Sequence, residues 1–146
     1  MKNYLSINIK YHVEELMKIE KIDIGDWVDL RAAETLELKA GEFKFISLGV
    51  SMKLPEGYEA HIAPRGSTFK NFGLLQTNSV GVVDNTFSGT NDVWKFPAYA
   101  VRDTKICIND RICQFRVSKV QPTLCFNEVD SLDENDRGGF GSTGSN

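Results

Sequence analysis

Several things are scarce in this chain of 146 residues. No apolar run approaches the roughly 18 residues that a membrane-crossing helix needs, and no signal-peptide core follows Met1. Positive charge is not in surplus: 17 Lys and Arg stand against 20 Asp and Glu, a formal charge of -3. A protein held to nucleic acid by bulk attraction to the backbone carries a basic excess. Neither nucleic acid nor membrane is therefore expected as a partner, although local cations and backbone N–H groups can still hold a small anion. The cysteines, Cys107, Cys113 and Cys125, are odd in number and form no C-x-x-C pair. With apolar neighbours they read as buried, reduced thiols and not as a disulfide frame or zinc ligands. His12 and His61 are too far apart in sequence for a His-rich metal site. These features describe a cytoplasmic chain.

What is present is the composition of one globular domain, 41% apolar and 25% charged. Its periodicity is short and strand-like. Ile7 and Ile9 alternate with polar neighbours, as do Phe43 and Phe45 before the turn-like pair Leu48-Gly49. Tyr58, Ala60 and Ile62 form one set, and Cys113, Phe115 and Val117 another, the latter following a turn at Asn109-Asp110. Such period-two runs suit half-buried strands. The segments Val13–Glu20 and Val28–Glu37 are short and weakly capped, so helix is not favoured for either. Glycine and proline punctuate the whole length, which points to an all-β sandwich or barrel. There is no strand–helix alternation, no G-x-G-x-x-G loop, no repeat and no interdomain linker.

The last ten residues differ in kind. Arg137–Asn146 holds four glycines and one large apolar residue, Phe140, and cannot form a core. It reads either as a frayed terminus or as a flexible lid. In the second reading Arg137 pairs with an anion, and the glycines let backbone N–H groups converge on phosphates. The organisation expected is a β domain over 1–136 and an arm over 137–146.

Five segments taken together resemble a known family. Asp29-Leu30-Arg31-Ala32-Ala33, Pro64-Arg65-Gly66-Ser67-Thr68, Gly81–Gly89, Asp110–Gln114 and Arg137–Gly144 come in the order of the five motifs of trimeric dUTPases. The likeness is nearest to the enzymes of low-GC Gram-positive bacteria and their phages, which share the Lys70-Asn71-Phe72-Gly73 pattern. The resemblance implies a distorted jelly-roll subunit of the β-clip kind and a homotrimer with active sites shared between subunits. It implies Mg2+-dependent cleavage of dUTP to dUMP and pyrophosphate, in the host cytoplasm if the gene is a phage's. That reaction limits uracil incorporation into DNA and supplies dUMP for dTMP synthesis.

The resemblance also assigns roles. Asp84 orients and activates the attacking water, where placement must compensate for the weak basicity of a carboxylate. Gln114 helps hold that water or the α-phosphate. Arg65 approaches the phosphates from a neighbouring subunit, next to Gly66 and Ser67. Asp29 lies near the metal and acts through bound water. Asn78 braces the hairpin that reads the base, with Gly81 and Val83 contributing backbone groups and Phe87 lying under the deoxyribose. Arg137, Gly141, Ser142 and Thr143 close on the phosphates, and Phe140 covers the uracil. Arg111 is expected to be structural. For it to share the site with Gln114, three positions away, the strand must bend or end there, since an odd spacing puts regular strand residues on opposite faces.

This sequence departs from the family pattern at three places. Gly66 stands where Ser is usual, Phe87 where Tyr is usual, and Arg137 precedes Phe140 by three residues instead of five. The first two leave room for a catalytically weakened trimer that acts on a regulatory protein partner. Deamination of dCTP, found in a related family on the same fold, is a further alternative. The third motif and the Phe140–Gly144 tail fit dUTP hydrolysis better.

Overall fold

The computed structural model describes residues 4–141, and among them it contains eleven strands and one short helix. The strands are β1 (Asn8–Tyr11), β2 (Val28–Arg31), β3 (Leu36–Leu38), β4 (Phe43–Ser47), β5 (Val50–Lys53), β6 (Tyr58–Pro64), β7 (Leu74–Gln76), β8 (Gly81–Val83), β9 (Lys95–Ala100), β10 (Thr104–Ile106) and β11 (Arg111–Lys119). Every pairing is antiparallel. They form a four-stranded sheet in the order β2-β11-β6-β8, a three-stranded sheet β4-β9-β7, and the pairs β1-β5 and β3-β10. The all-β, open jelly-roll expectation holds. The alternating runs around Ile9, Phe45, Ala60 and Phe115 all lie in strands, and the weakly capped segment Val28–Glu37 contributes β2 and the start of β3.

One core joins all four sheets. Leu30, Ile46, Val50, Ala60, Phe96, Ile106 and Ile112 are buried in it. Trp94 and Phe115 meet edge to face, their ring centroids 5.4 Å apart, the geometry favoured by the aromatic quadrupole. Gly49 turns the chain from β4 into β5 at φ +68°, and a Cβ there would stand 2.6 Å from the Ala33 Cβ. Both the backbone angle and the space require glycine.

The helix, α1 (Thr68–Phe72), is too short to leave a periodic signature in the sequence, and it ends on Gly73 in the left-handed conformation. The alternation of Phe43 and Phe45 gave the strand but not its buried side: both rings are exposed and Ile46 enters the core. Two of the thiols also differ from expectation. Cys113 is buried, but Cys107 and Cys125 are exposed. Cys107 sits in the tight β10–β11 turn and Cys125 beyond the last strand, so apolar neighbours in sequence do not bury either.

Regular structure ends at Lys119, and nearly all of 120–141 is exposed, including Leu124, Phe126, Val129 and Leu132. Among the described residues no helix is long and apolar enough to cross a membrane.

Candidate active site

The expected site residues that precede the arm fall into two clefts that share no lining residue. The first gathers Asp29, Arg65, Gly66, Ser67, Arg111 and Gln114. Its geometry begins with an irregularity in β11. Arg111 pairs with Arg31 of β2, but Cys113 already pairs with Leu30, so Ile112 is an inserted bulge residue. The extra residue resets the alternation. Gln114 lies opposite Asp29, and Arg111 lies opposite Arg31, two positions along the same strand face. Of the two ways in which Arg111 and Gln114 could share a site, a bend or an end of the strand, the structure has the bend, at this bulge.

Asp29 anchors the charges of this cleft. Its Oδ1 is 3.0 Å from Arg65 Nε and its Oδ2 is 3.3 Å from Arg111 Nη1. Arg65 Nη1 also donates to Ser67 Oγ and to the Arg111 carbonyl, each at 3.3 Å. Behind them Thr68 is fully buried. Its hydroxyl accepts from the Arg65 N–H at 2.8 Å and donates to the Ile112 carbonyl at 2.8 Å. The motif loop is thereby fastened to the bulge. Gln114 Nε2 donates to the Pro64 carbonyl at 3.1 Å. A carbonyl only accepts, so the Gln114 amide oxygen faces away from Pro64. A Cβ on Gly66 would meet nothing within 4 Å. Asp26 pairs with Arg116 at 2.9 Å, and Arg31 donates to the Asn109 carbonyl at 2.8 Å; both are structural contacts here.

The second cleft is lined by Asn78, Gly81, Val83, Asp84, Thr86 and Phe87, with Ile62 and Trp94 behind them. β8 hangs on β6 through the pairs Ile62–Gly81 and Ala60–Val83, which sets the hairpin against the core. Asp84 follows β8 and is exposed. Its Oδ1 accepts the Thr86 N–H at 2.8 Å and also the Thr86 hydroxyl. The hydroxyl bond, then the backbone bond, holds its carboxyl below the ordinary range, because both donors stabilise the charged form. The result is an ionised carboxylate with one oxygen pinned.

The third group stands apart. Arg137, Phe140 and Gly141 are exposed, Phe140 fully so. Ser142 and Thr143 lie outside the described residues. Within one chain, then, the described residues do not bring Asp84, Arg65 and the arm together.

Three residues that hydrogen-bond the expected site residues escaped the sequence reading as individuals: Thr68 bonds Arg65, Gln76 bonds Asn78 and Thr86 bonds Asp84. Thr86 had a local signal, since a hydroxyl two residues after an Asp favours a side-chain turn. Thr68 and Gln76 had none, because their partners Ile112 and Ile62 are distant in sequence.

Comparison with known proteins places the chain in a family. A family model described as dUTPase matches residues 28–144. The SPbeta prophage-derived deoxyuridine 5'-triphosphate nucleotidohydrolase YosS of Bacillus subtilis (strain 168) is 59% identical over 140 residues, covering 96% of this chain and 99% of that protein. The deoxyuridine 5'-triphosphate nucleotidohydrolase of Neorickettsia sennetsu is 37% identical, with 80% of each chain covered. Among solved structures, a Staphylococcus bacteriophage 80alpha dUTPase with dUpNHpp superposes with a TM-score of 0.77 at 17% identity, covering 96% of this chain and 99% of that one. At that identity the likeness shows the fold.

Proposed function

The chain belongs to the dUTPase family, and from that premise we propose that each of its active sites is assembled from several copies of the chain. Its reaction is the hydrolysis of dUTP to dUMP and pyrophosphate. One observation carries the shared-site reading: the phosphate-type chemistry of Arg65 and Gln114 and the carboxylate of Asp84 occupy separate clefts with no common lining residue. A cyclic trimer can set one copy's first cleft against the next copy's second, and the arm of a third copy can reach over both.

In this arrangement the Asp84 carboxylate takes a proton from a water molecule as that water attacks the α-phosphorus. The bond from the α-phosphorus to the bridging oxygen breaks, and pyrophosphate leaves. Pinning by Thr86 fixes the direction of the other Asp84 oxygen, which supplies the placement that a weak base needs. The Gln114 amide oxygen, turned away from Pro64, accepts the water's second O–H. Arg65 and Arg111 face the phosphates, with Asp29 fixing their orientation. The second cleft takes the base and sugar, with the Phe87 ring beneath the deoxyribose.

Magnesium fits this site as a cation that arrives on the triphosphate. Both oxygens of Asp29 already face guanidinium groups, and among the described residues no cluster of three or more His, Cys, Asp or Glu could hold a metal. Asp29 would reach the ion through water, in keeping with the reluctance of Mg2+ to shed its hydration shell. When bound, the ion neutralises charge on the phosphate oxygens.

The test is pyrophosphate release from dUTP beside dCTP, dTTP and UTP, followed by subunit mixing. Asp84→Asn and Arg65→Ala should each be nearly inactive. Co-expressed at equal ratio they should regain about a quarter of full activity, because each site draws the two residues from different copies. Absence of recovery, or a monomer with full activity in place of an assembly of about 49 kDa, overturns the shared site.

A further inference from the structure

Gln76 has no part in the mechanism above, yet it occupies a telling place behind the second cleft. It ends β7 and is buried. Its Nε2 donates to the Ile62 carbonyl at 2.9 Å and to Asn78 Oδ1 at 2.9 Å. The first bond sets the orientation of the Gln76 amide, because a backbone carbonyl only accepts and so must meet the NH2 end. The second passes that orientation on. An NH2 group only donates, so Asn78 must turn its oxygen towards Gln76 and its own NH2 away. Asn78 lines the cleft, and its Nδ2 lies 3.6 Å from where a Cβ would stand on the lining residue Gly81. An Asn amide alone fits the same space either way round. Here a chain of obligatory donors and acceptors running from β6 removes the ambiguity.

The other end of Gln76 makes no such bond: its Oε1 is buried and accepts no hydrogen bond among the described residues. A buried unpaired acceptor opposes folding, which offsets part of what the two bonds of Nε2 contribute.

We propose that Gln76 is a positioning residue for base specificity: it locks the Asn78 amide with its NH2 group towards the bound base. That face matches a ring carbonyl and opposes a ring amino group. Uracil presents a carbonyl where cytosine presents an amino group. A reversed Asn78 would accept from the amino group and weaken the distinction. Mismatched polar groups of this kind discriminate far more strongly than a missing methylene does. The inference rests on the reading that the second cleft takes the base.

The experiment measures kcat and KM for dUTP and dCTP in Gln76→Met, Asn78→Ala and the double variant. Gln76→Met should lower the preference for dUTP over dCTP by about tenfold, mainly through KM for dUTP. Loss of the unpaired Oε1 offsets part of the cost of leaving the Ile62 carbonyl without this donor, so a modest fall in thermal midpoint is expected. The double variant should discriminate no worse than Asn78→Ala, because Gln76 acts through Asn78. An undiminished preference in Gln76→Met, or additive losses in the double variant, overturns the proposal. If instead Asn78→Ala and Phe87→Ala both leave KM for dUTP unchanged, the base-cleft reading fails and takes the proposal with it. Should Gln76→Met not fold, Asn78→Asp carries the test: with Gln76 holding one oxygen, the other faces the base and should raise relative use of dCTP. An unaltered ratio there overturns the lock.

Discussion

The Thr68 hydroxyl donates at 2.8 Å to the carbonyl of Ile112, the residue inserted at the bulge of β11. The same oxygen accepts the N–H of Arg65. One buried atom thus couples the loop carrying Arg65 to the strand carrying Arg111 and Gln114. Thr68→Val keeps the shape and leaves two backbone groups unpaired. Each such group costs about 1–3 kcal/mol when buried. A lowered denaturation midpoint is expected, together with a fall in kcat/KM for dUTP as Arg65 and Gln114 lose their common anchor. Unaltered stability and kinetics would show that the coupling is incidental.

Asp84 and Thr86 make a prediction about pH. The Thr86 hydroxyl and N–H both favour the ionised carboxylate and hold its titration below the ordinary range. Activity that needs the ionised form should therefore persist to lower pH than an ordinary Asp would allow. Thr86→Val removes the largest of the lowering influences and raises the Asp84 pKa. The acid limb of kcat should then move to higher pH, with less change at neutral pH, where the carboxylate stays ionised. Asp84→Asn should keep nucleotide binding and lose turnover by about a hundredfold or more. A pH profile unmoved by Thr86→Val would separate Asp84 from the acid limb.

How far these features can be read from sequence differs between them for physical reasons. The strands around Ile9, Ala60 and Phe115 were legible because alternation reflects local burial. The outward side of Phe43 and Phe45 was not, since alternation gives a strand but not which of its faces meets the core. The spacing of Arg111 and Gln114 requires the strand to bend or end if both serve one site, and the structure has a bend at Ile112. Motif residues such as Asp29 and Asp84 stood out through their neighbours in sequence. Thr68 and Gln76 did not, because each works through a carbonyl more than ten residues away.

The arm gives a prediction that separates catalysis from folding. Arg137 and Phe140 lie on a segment without regular structure, and Phe140 is fully exposed. Among the described residues, none of the core comes from beyond Val117. Truncation after Asp136 should leave the circular dichroism spectrum and thermal midpoint nearly unchanged while reducing kcat/KM for dUTP by about tenfold or more. Retained kinetics in the truncated chain would return the last ten residues to the status of a frayed terminus.

Gly66 offers a gain-of-function test. The family commonly carries Ser at this position, so the present chain lacks one hydroxyl beside Arg65. Nothing lies within 4 Å of a Cβ built there, and the backbone angle is not in the left-handed region, so Gly66→Ser should fold without strain. Replacing Gly also reduces the freedom of the unfolded chain, which favours folding by about 0.4–1 kcal/mol where the geometry is compatible. The kinetic outcome depends on whether another donor already fills the role. Ser67 is the candidate, but its Oγ accepts from Arg65 Nη1 at 3.3 Å. That bond leaves the Ser67 hydroxyl hydrogen available to a phosphate oxygen, since a hydroxyl can accept and donate at once. Compensation by Ser67 predicts that Gly66→Ser raises kcat by less than about threefold. It also predicts that Ser67→Ala is damaging in the parent and much milder in the Gly66→Ser background. A large rise in kcat from Gly66→Ser alone would mean instead that the site runs one donor short.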